Sequence, residues 1–218
     1  MNGVAEDDAM VRISAAQKID VRRKLLEAAA QHFSESGLER ANVDAISVAA
    51  GYAKGTIYNY FPSKQALFGA VIEEASRRAA EHYREVQPGE TTREHLLALA
   101  QADLAVLRQE EDFMKVLLRE ALSFRPETYA LVTEHLGPYV LEVEAALARG
   151  VARGEVRSDR PTPQLALLFV GHLGLMYAQH WGSGGLWPAL DEVPELVVTS
   201  FFDGARGSGL DGDKEAAP

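Results

Sequence analysis

Apolar residues along this chain recur at intervals of three and four, and no stretch alternates apolar with polar between turn signals. A period near 3.6 puts such residues on one side of a helix, whereas a half-buried strand needs a period of two. The pattern therefore confines the fold to helices packed on helices, an all-α class. A first helix is expected over about 14–36, with Leu26, Ala30 and Phe33 on one face and Gly37 closing it. Asn42 should cap a short helix over "VDAISVAA" that stops at Gly51. A third short helix is expected at about 54–60. Pro62 prevents its continuation, and Ser63 is placed to cap a long fourth helix reaching about 86, with Phe68, Ile72, Ala75, Ala79 and Tyr83 along one stripe.

"QPGETT" then punctuates the chain and marks a boundary between modules. Further helices are expected at about 92–108, 112–124, 126–135, 138–153, 163–182 and 194–205. The Gly137-Pro138 step should split one helix into two. Gly154 suits a helix C-terminus, and Thr162 with Pro163 suits the next start, as cap and first turn. With 218 residues the chain can hold a small N-terminal module and a larger C-terminal one. The expected division is a disordered start at 1–12, a small helical module at 13–62, a larger one at 63–205 that includes the connecting helix, and a disordered tail at 206–218.

Charge sharpens the division. Residues 11–64 hold eight Lys and Arg against five Asp and Glu, a net +3, while 87–218 hold eleven against twenty, a net −9. A chain of net charge −10 that keeps a basic N-terminal module can bind a polyanion there, because the local field governs the contact. Within that module, "AGYAKGTIYNYFPSKQALF" gathers five aromatic rings, two lysines and two glycines. Two short helices joined at Gly51 match a helix-turn-helix, in which the second helix enters the DNA major groove.

The run from Leu26 to Leu67 resembles the tetracycline-repressor (TetR/AcrR) family of transcription regulators. The resemblance is carried by Phe33, Gly37, Ile46, Ala50 and Gly51, then by Lys54, Gly55, Thr56, Tyr58, Tyr60, Phe61, Lys64 and Leu67. Ser47 stands where that family usually has alanine, and Asn42 where Thr or Ser is commoner. The resemblance implies an N-terminal three-helix DNA-binding domain with a helix-turn-helix. A long helix would link it to a larger C-terminal helical domain for ligand binding and dimerisation. By residue type, Tyr58, Tyr60 and Lys64 suit phosphate contacts, and Asn42 suits a phosphate at a helix start. Lys54, Thr56 and Asn59 suit base edges, with Gly55 allowing close backbone approach, while Ile57 and Phe61 suit the small core.

In the larger module, Leu167, Gly171, Gly174 and Ala178 share one face of their helix, and three of the four are small. Val197 and Phe201 offer a second apolar surface on the last helix. The resemblance implies that these two helices pair with those of a second copy to form a homodimer; the alternative is a core within one subunit. Leu165, Phe169, His172 and Met176 fall on the opposite face. They are expected to line an apolar ligand cavity with Phe113, Leu117, Glu120, Phe124 and Tyr139. His172 and Glu120 each carry a second reading, as a core histidine and as one end of a surface pair.

The six histidines show no metal-ligand spacing, and neither a Gly-rich phosphate loop after a strand nor a nucleophile elbow is present. No cofactor is expected, and an enzyme is not. Glu6, Asp7 and Asp8 stand where a secretory signal would carry basic residues, and there is no cysteine, which together suggest the cytoplasm. The function expected is a sequence-specific DNA-binding regulator, a repressor released from a palindromic operator by a small, largely apolar ligand. The rivals are a DNA-binding regulator controlled by a protein partner or by its own concentration, and a helical enzyme or carrier with an idle helix-turn-helix.

Overall fold

A computed structural model describes residues 15–203 apart from Phe124; side chains at 127, 128, 131 and 135 are also outside the description. The expected disordered ends therefore lie outside the described residues. Among these residues every regular element is helical. The chain divides into two compact units between Val71 and Ile72.

The first unit contains α1 (Ala15–Arg40), α2 (Val43–Ala49) and the start of α3 (Lys64–Tyr83). Helix α1 runs four residues beyond the expected end, but Gly37 inside it has φ 73° and ψ 169°, so the chain kinks there and resumes for one turn. Asn42 caps α2 as expected, its Oδ1 accepting the Ala45 N–H at 3.1 Å. The expected helix at 54–60 is instead a single 3-10 turn, Thr56–Asn59. Gly55 has φ 84°, a left-handed conformation that cannot belong to a right-handed helix, so the turn begins only after it. Its bonds reach back three residues, Tyr58 N to Gly55 O at 3.1 Å and Tyr60 N to Ile57 O at 3.0 Å. Ser63 caps α3 through Oγ, which accepts the Ala66 N–H at 3.1 Å. Leu25, Phe33, Ile46, Ile57, Leu67 and Phe68 form the buried interior, with Phe33 and Phe68 edge to face at 5.2 Å.

The second unit holds the remainder of α3, then α4 (Thr92–Gln109), α5 (Glu111–Ala121), α6 (Pro126–Arg153), α7 (Thr162–Gly182) and α8 (Val193–Asp203). Helix α4 opens on a reciprocal cap, Thr91 Oγ1 accepting Glu94 N–H at 3.2 Å and Glu94 accepting Thr91 N–H at 3.0 Å. Leu96, Leu99, Leu107, Val143, Leu147, Phe169, Leu173 and Val197 belong to one buried cluster drawn from α4, α6, α7 and α8.

Helix boundaries differ from expectation in three instructive places. Pro138 does not split α6, which runs unbroken to Arg153 and is closed by Gly154 in the left-handed conformation. Proline removes one helical donor but keeps a helical φ, and burial of Val132 before it with Tyr139 and Val143 after it holds both halves on one element. Helix α7 starts one residue early: Pro161 is its cap and Thr162 its first residue. Helix α5 ends at Ala121 rather than 124, where Leu122 N–H bonds Leu118 O at 3.1 Å.

Candidate nucleic-acid interface and ligand cavity

The helix-turn-helix is held by side chain to backbone bonds across its turns. Ser47 is fully buried, and its hydroxyl donates to the Ala53 carbonyl at 2.7 Å, tying α2 to the far side of the turn at Gly51. Tyr52 N–H returns the tie to Ser47 O at 3.0 Å. An alanine at 47 would lack this bond, so the residue that departs from the family pattern has a role of its own. Lys64 is half-buried, and Nζ donates to the Glu39 carbonyl at 2.8 Å and more weakly to the Ala41 carbonyl at 3.4 Å. It is thereby engaged with the end of α1 and the entry to α2.

The candidate DNA residues separate by exposure. Lys54, Tyr58, Asn59 and Asn42 are exposed, while Gly55, Thr56, Tyr60 and Lys64 are half-buried. Ile57 and Phe61 point the other way and are buried, with the Arg22 guanidinium 5.5 Å from the Phe61 ring. The 3-10 turn thus presents Tyr58 and Asn59 outward on a backbone pinned by Ile57 and Phe61. The Asn42 carbonyl oxygen of the side chain is occupied by its capping bond, so this residue fixes the start of α2.

The second unit holds a cavity of about 470 Å³ between α4, α5, α6 and α7, open to solvent on the side of Leu167 and Leu175. Its lining is mostly apolar and includes Leu107, Met114, Leu117, Leu118, Val170 and Trp181. Among the described lining residues Asp103 alone carries a formal charge. Asp103 is buried and accepts a hydrogen bond from the Tyr83 hydroxyl at 2.6 Å. Burial raises its pKa above the ordinary aspartate value, against the opposing pull of hydrogen bonds from Tyr83 and Tyr177. Tyr83 stacks on Tyr139 with ring centroids 4.4 Å apart, and Tyr139 and Tyr177 both line the cavity beside Asp103. Burial, ahead of the neighbouring carboxylate, pushes all three tyrosines up, so they remain neutral donors.

Of the residues expected in the pocket, Leu117 and Tyr139 line it. The others that are described face elsewhere. Phe113 is buried beneath the Arg78 guanidinium, which sits 4.7 Å from its ring. Glu120 is buried near the end of α5 but does not line the cavity. Phe169 meets Phe201 of α8 edge to face at 5.4 Å, and His172 Nδ1 lies 3.5 Å from Ser200 Oγ on the same helix. Leu165 and Met176 lie in the core around them and not in the cavity. Phe124 is outside the described residues.

The cavity assignment of α7 therefore moves from the expected stripe to the other one. The face of Phe169 and His172 packs on α8, and the face of Leu167, Gly171 and Gly174 borders the cavity. A Cβ at Gly174 would stand 3.1 Å from Leu118 Cδ1, so the small residue admits α5. Of the expected interface set, Leu167 and Gly171 are exposed, and Gly174, Ala178 and Phe201 are half-buried. Val197 is fully buried in the core of the second unit and presents no surface. Leu168 and Leu175, 62% and 58% exposed, continue the open side of α7.

Sequence reasoning missed Asp103 and Tyr177. A signal existed for Asp103: it follows Leu96 and Leu99 at helical spacing and precedes Leu107, which puts an acid on the buried stripe of α4. Among the described residues no helix is long and apolar enough to cross a membrane, and no cluster of three or more His, Asp or Glu could hold a metal.

Residues 25–71 match the family model for bacterial regulatory proteins of the tetR family. The HTH-type transcriptional repressor AcnR of Corynebacterium efficiens is 30% identical over 184 residues, which cover 84% of this chain and 93% of that protein. Among solved structures, the regulator FadR from Bacillus subtilis in complex with stearoyl-CoA is similar at TM-score 0.73 and 18% identity, over 84% of this chain and 99% of that one. AibR in complex with isovaleryl coenzyme A and operator DNA is similar at TM-score 0.70 and 21% identity, over 84% and 98%. The helix-turn-helix built on Ser47 and Ile57, the all-helical second unit and the near full-length match to AcnR lead to one conclusion: this chain belongs to the tetR family of DNA-binding transcription regulators, and not to an enzyme family.

Proposed function

We propose that this chain is a homodimeric repressor that leaves a palindromic operator when a small, largely apolar ligand enters the cavity of its second unit. The cavity carries the ligand part of this reading: about 470 Å³ with an almost wholly apolar lining and a few polar groups is the usual character of a small-molecule site. The repressor named AcnR and the ligand-bound neighbours FadR and AibR support it by likeness. Lys54, Thr56 and Asn59 would read base edges, with Gly55 permitting close approach, and Tyr58 and Tyr60 would hold phosphates. Asn42 and Lys64 would act by fixing the frame that presents them.

The dimer would use the open side of α7, where Leu167, Leu168 and Leu175 are each more than half exposed, together with Phe201. Leu167 and Leu175 also border the cavity, so a second copy seated there would cover its mouth. Helix α3 is the covalent link between the units, and its twenty residues span about 30 Å. The compartment that fits such a regulator is the cytoplasm.

The test is linkage. Operator DNA and ligand must weaken each other's binding by the same factor if one releases the other. Calorimetric titration of a co-purified ligand, with and without saturating operator, should give different affinities. Equal affinities would refute release by ligand and favour control by a protein partner or by concentration.

A further inference from the structure

We infer that the first turns of α1 form a second DNA-contacting surface, in which Lys18 and Arg22 hold backbone phosphates beside the 3-10 turn. It rests on the DNA-binding role of the first unit and adds contacts outside the segment from Asn42 to Lys64. At about 100° per residue, Lys18 and Arg22 fall on the same stripe of α1 as Leu25, Leu26, Ala29 and Phe33, which are buried. Both cations are nonetheless exposed, because they stand before Leu25, where the buried part of the helix begins. Helix α1 thus overhangs its core, and the overhang turns two cations toward the side that its later turns bury. The Arg22 guanidinium lies over the Phe61 ring, 5.5 Å from its centroid and two residues past Asn59 in sequence, which puts this charge at the exit of the 3-10 turn.

The charge on this face is not neutralised. Residues 15–34 hold two acids, Asp20 and Glu27, and both serve the opposite side of the helix. Asp20 binds Arg23 at 2.7 Å and Lys24 at 2.9 Å, and Glu27 binds Arg23 at 2.8 Å. No acid stands between Asp44 and Glu73, so the segment around Phe61 supplies no counter-ion. Among the described residues Lys18 and Arg22 have no anionic partner. Like charges four apart on a helix repel each other, and a phosphate backbone laid against them removes that penalty. The two side chains suit the task differently. A guanidinium held against a ring keeps its in-plane N–H donors for the oxygens of a phosphate, while Lys18 brings a point charge on a flexible stem.

The experiment follows binding of the full-length protein to a duplex that the wild type enriches from a random-sequence library, by fluorescence anisotropy between about 50 and 200 mM salt. Each lost phosphate contact should make the slope of log affinity against log salt shallower by about 0.9. Lys18→Gln should therefore show a change of about 0.9 per subunit, and Lys18→Gln/Arg22→Gln about 1.8. Lys18 has no partner in the structure, so its replacement breaks no internal bond and reads the contact alone. Arg23→Gln removes the same charge from the opposite face and should leave the slope as in the wild type. The enriched motif should be the same for all variants, because phosphates carry no sequence information. A wild-type slope in the double variant would overturn the inference and leave the DNA-binding reading standing, as would an equal change from Arg23→Gln. If the wild type enriches no duplex, both fall together.

Discussion

Replacing Lys64 by methionine tests what holds the helix-turn-helix in shape. Methionine keeps an unbranched apolar stem and removes the ammonium. That ammonium donates to Glu39 O at 2.8 Å and to Ala41 O at 3.4 Å. The first is a charge-assisted bond of normal length, for which a loss of about 1.5–3 kcal/mol is expected; the second is near the limit of bonding and adds little. Because Lys64 is half-buried, water offsets part of the loss, and about 1.5 kcal/mol is the figure to test. That is about a tenfold rise in local opening. The segment released is the link from the end of α1 into α2. The amides that report it are Ala45, bonded to the Asn42 side chain, and Ile46, bonded to Asn42 O at 3.0 Å. Hydrogen exchange at these two amides should quicken about tenfold while the α6 and α7 amides keep their protection. DNA affinity should fall alike for all sequences, because the frame and not a base contact is disturbed. Unchanged exchange at Ala45 and Ile46, with a loss of affinity that disappears at high salt, would refute this and make the lysine a phosphate ligand.

Three further outcomes follow from the second unit. Tyr83→Phe deletes the donor to a buried carboxyl and should lower stability by about 1–3 kcal/mol in urea unfolding, whereas Tyr139→Phe removes a hydroxyl without a partner and should be neutral or slightly stabilising; equal losses would contradict the assignment. Glu155 is held down to about pKa 2, first by the Thr92 hydroxyl, then by the Thr92 N–H and Arg153, so its stabilising contribution is complete above its ordinary value of 4.5 and is lost as pH falls from there toward 2. Glu155→Gln should flatten that part of the acid-unfolding curve, and an unchanged curve would dissociate the carboxylate from stability. Leu117→Trp fills part of the cavity and should abolish the ligand response while leaving DNA binding without ligand intact; loss of DNA binding as well would point to misfolding of the unit and remove the support for a ligand site there.

The sequence was most legible where interactions are local. The cap from Asn42, the turn at Gly51, the cap from Ser63 and the inward pair Ile57 and Phe61 each depend on neighbours a few residues away. The residue types at 54–60 suit a helix, and it is the positive φ of Gly55, which a sequence does not display, that breaks the helix before it starts. Local rules disfavour Pro138 inside a helix, yet tertiary burial on both sides overrides them. The faces of α7 were the hardest to assign. Both are apolar, so periodicity reveals two buried sides without naming the neighbour of each, and only the positions of α5 and α8 decide which stripe meets the cavity. Ser47 stands out as a departure from the family pattern, but its bond to Ala53 depends on a turn whose geometry a sequence does not display.

The central claim, that this chain reads DNA through its 3-10 turn, is tested most directly by selecting binding sites from a random-sequence duplex library with the wild type and with Asn59→Ala. One enriched inverted repeat is expected, its half-sites about 34–36 Å apart, bound with an affinity that falls steeply as salt rises. Asn59→Ala should enrich the same repeat with preference relaxed at one or two positions in each half-site, a cost of about 1–3 kcal/mol. Enrichment of no motif by the wild type, or an identical motif from both proteins with unchanged affinity, would contradict it.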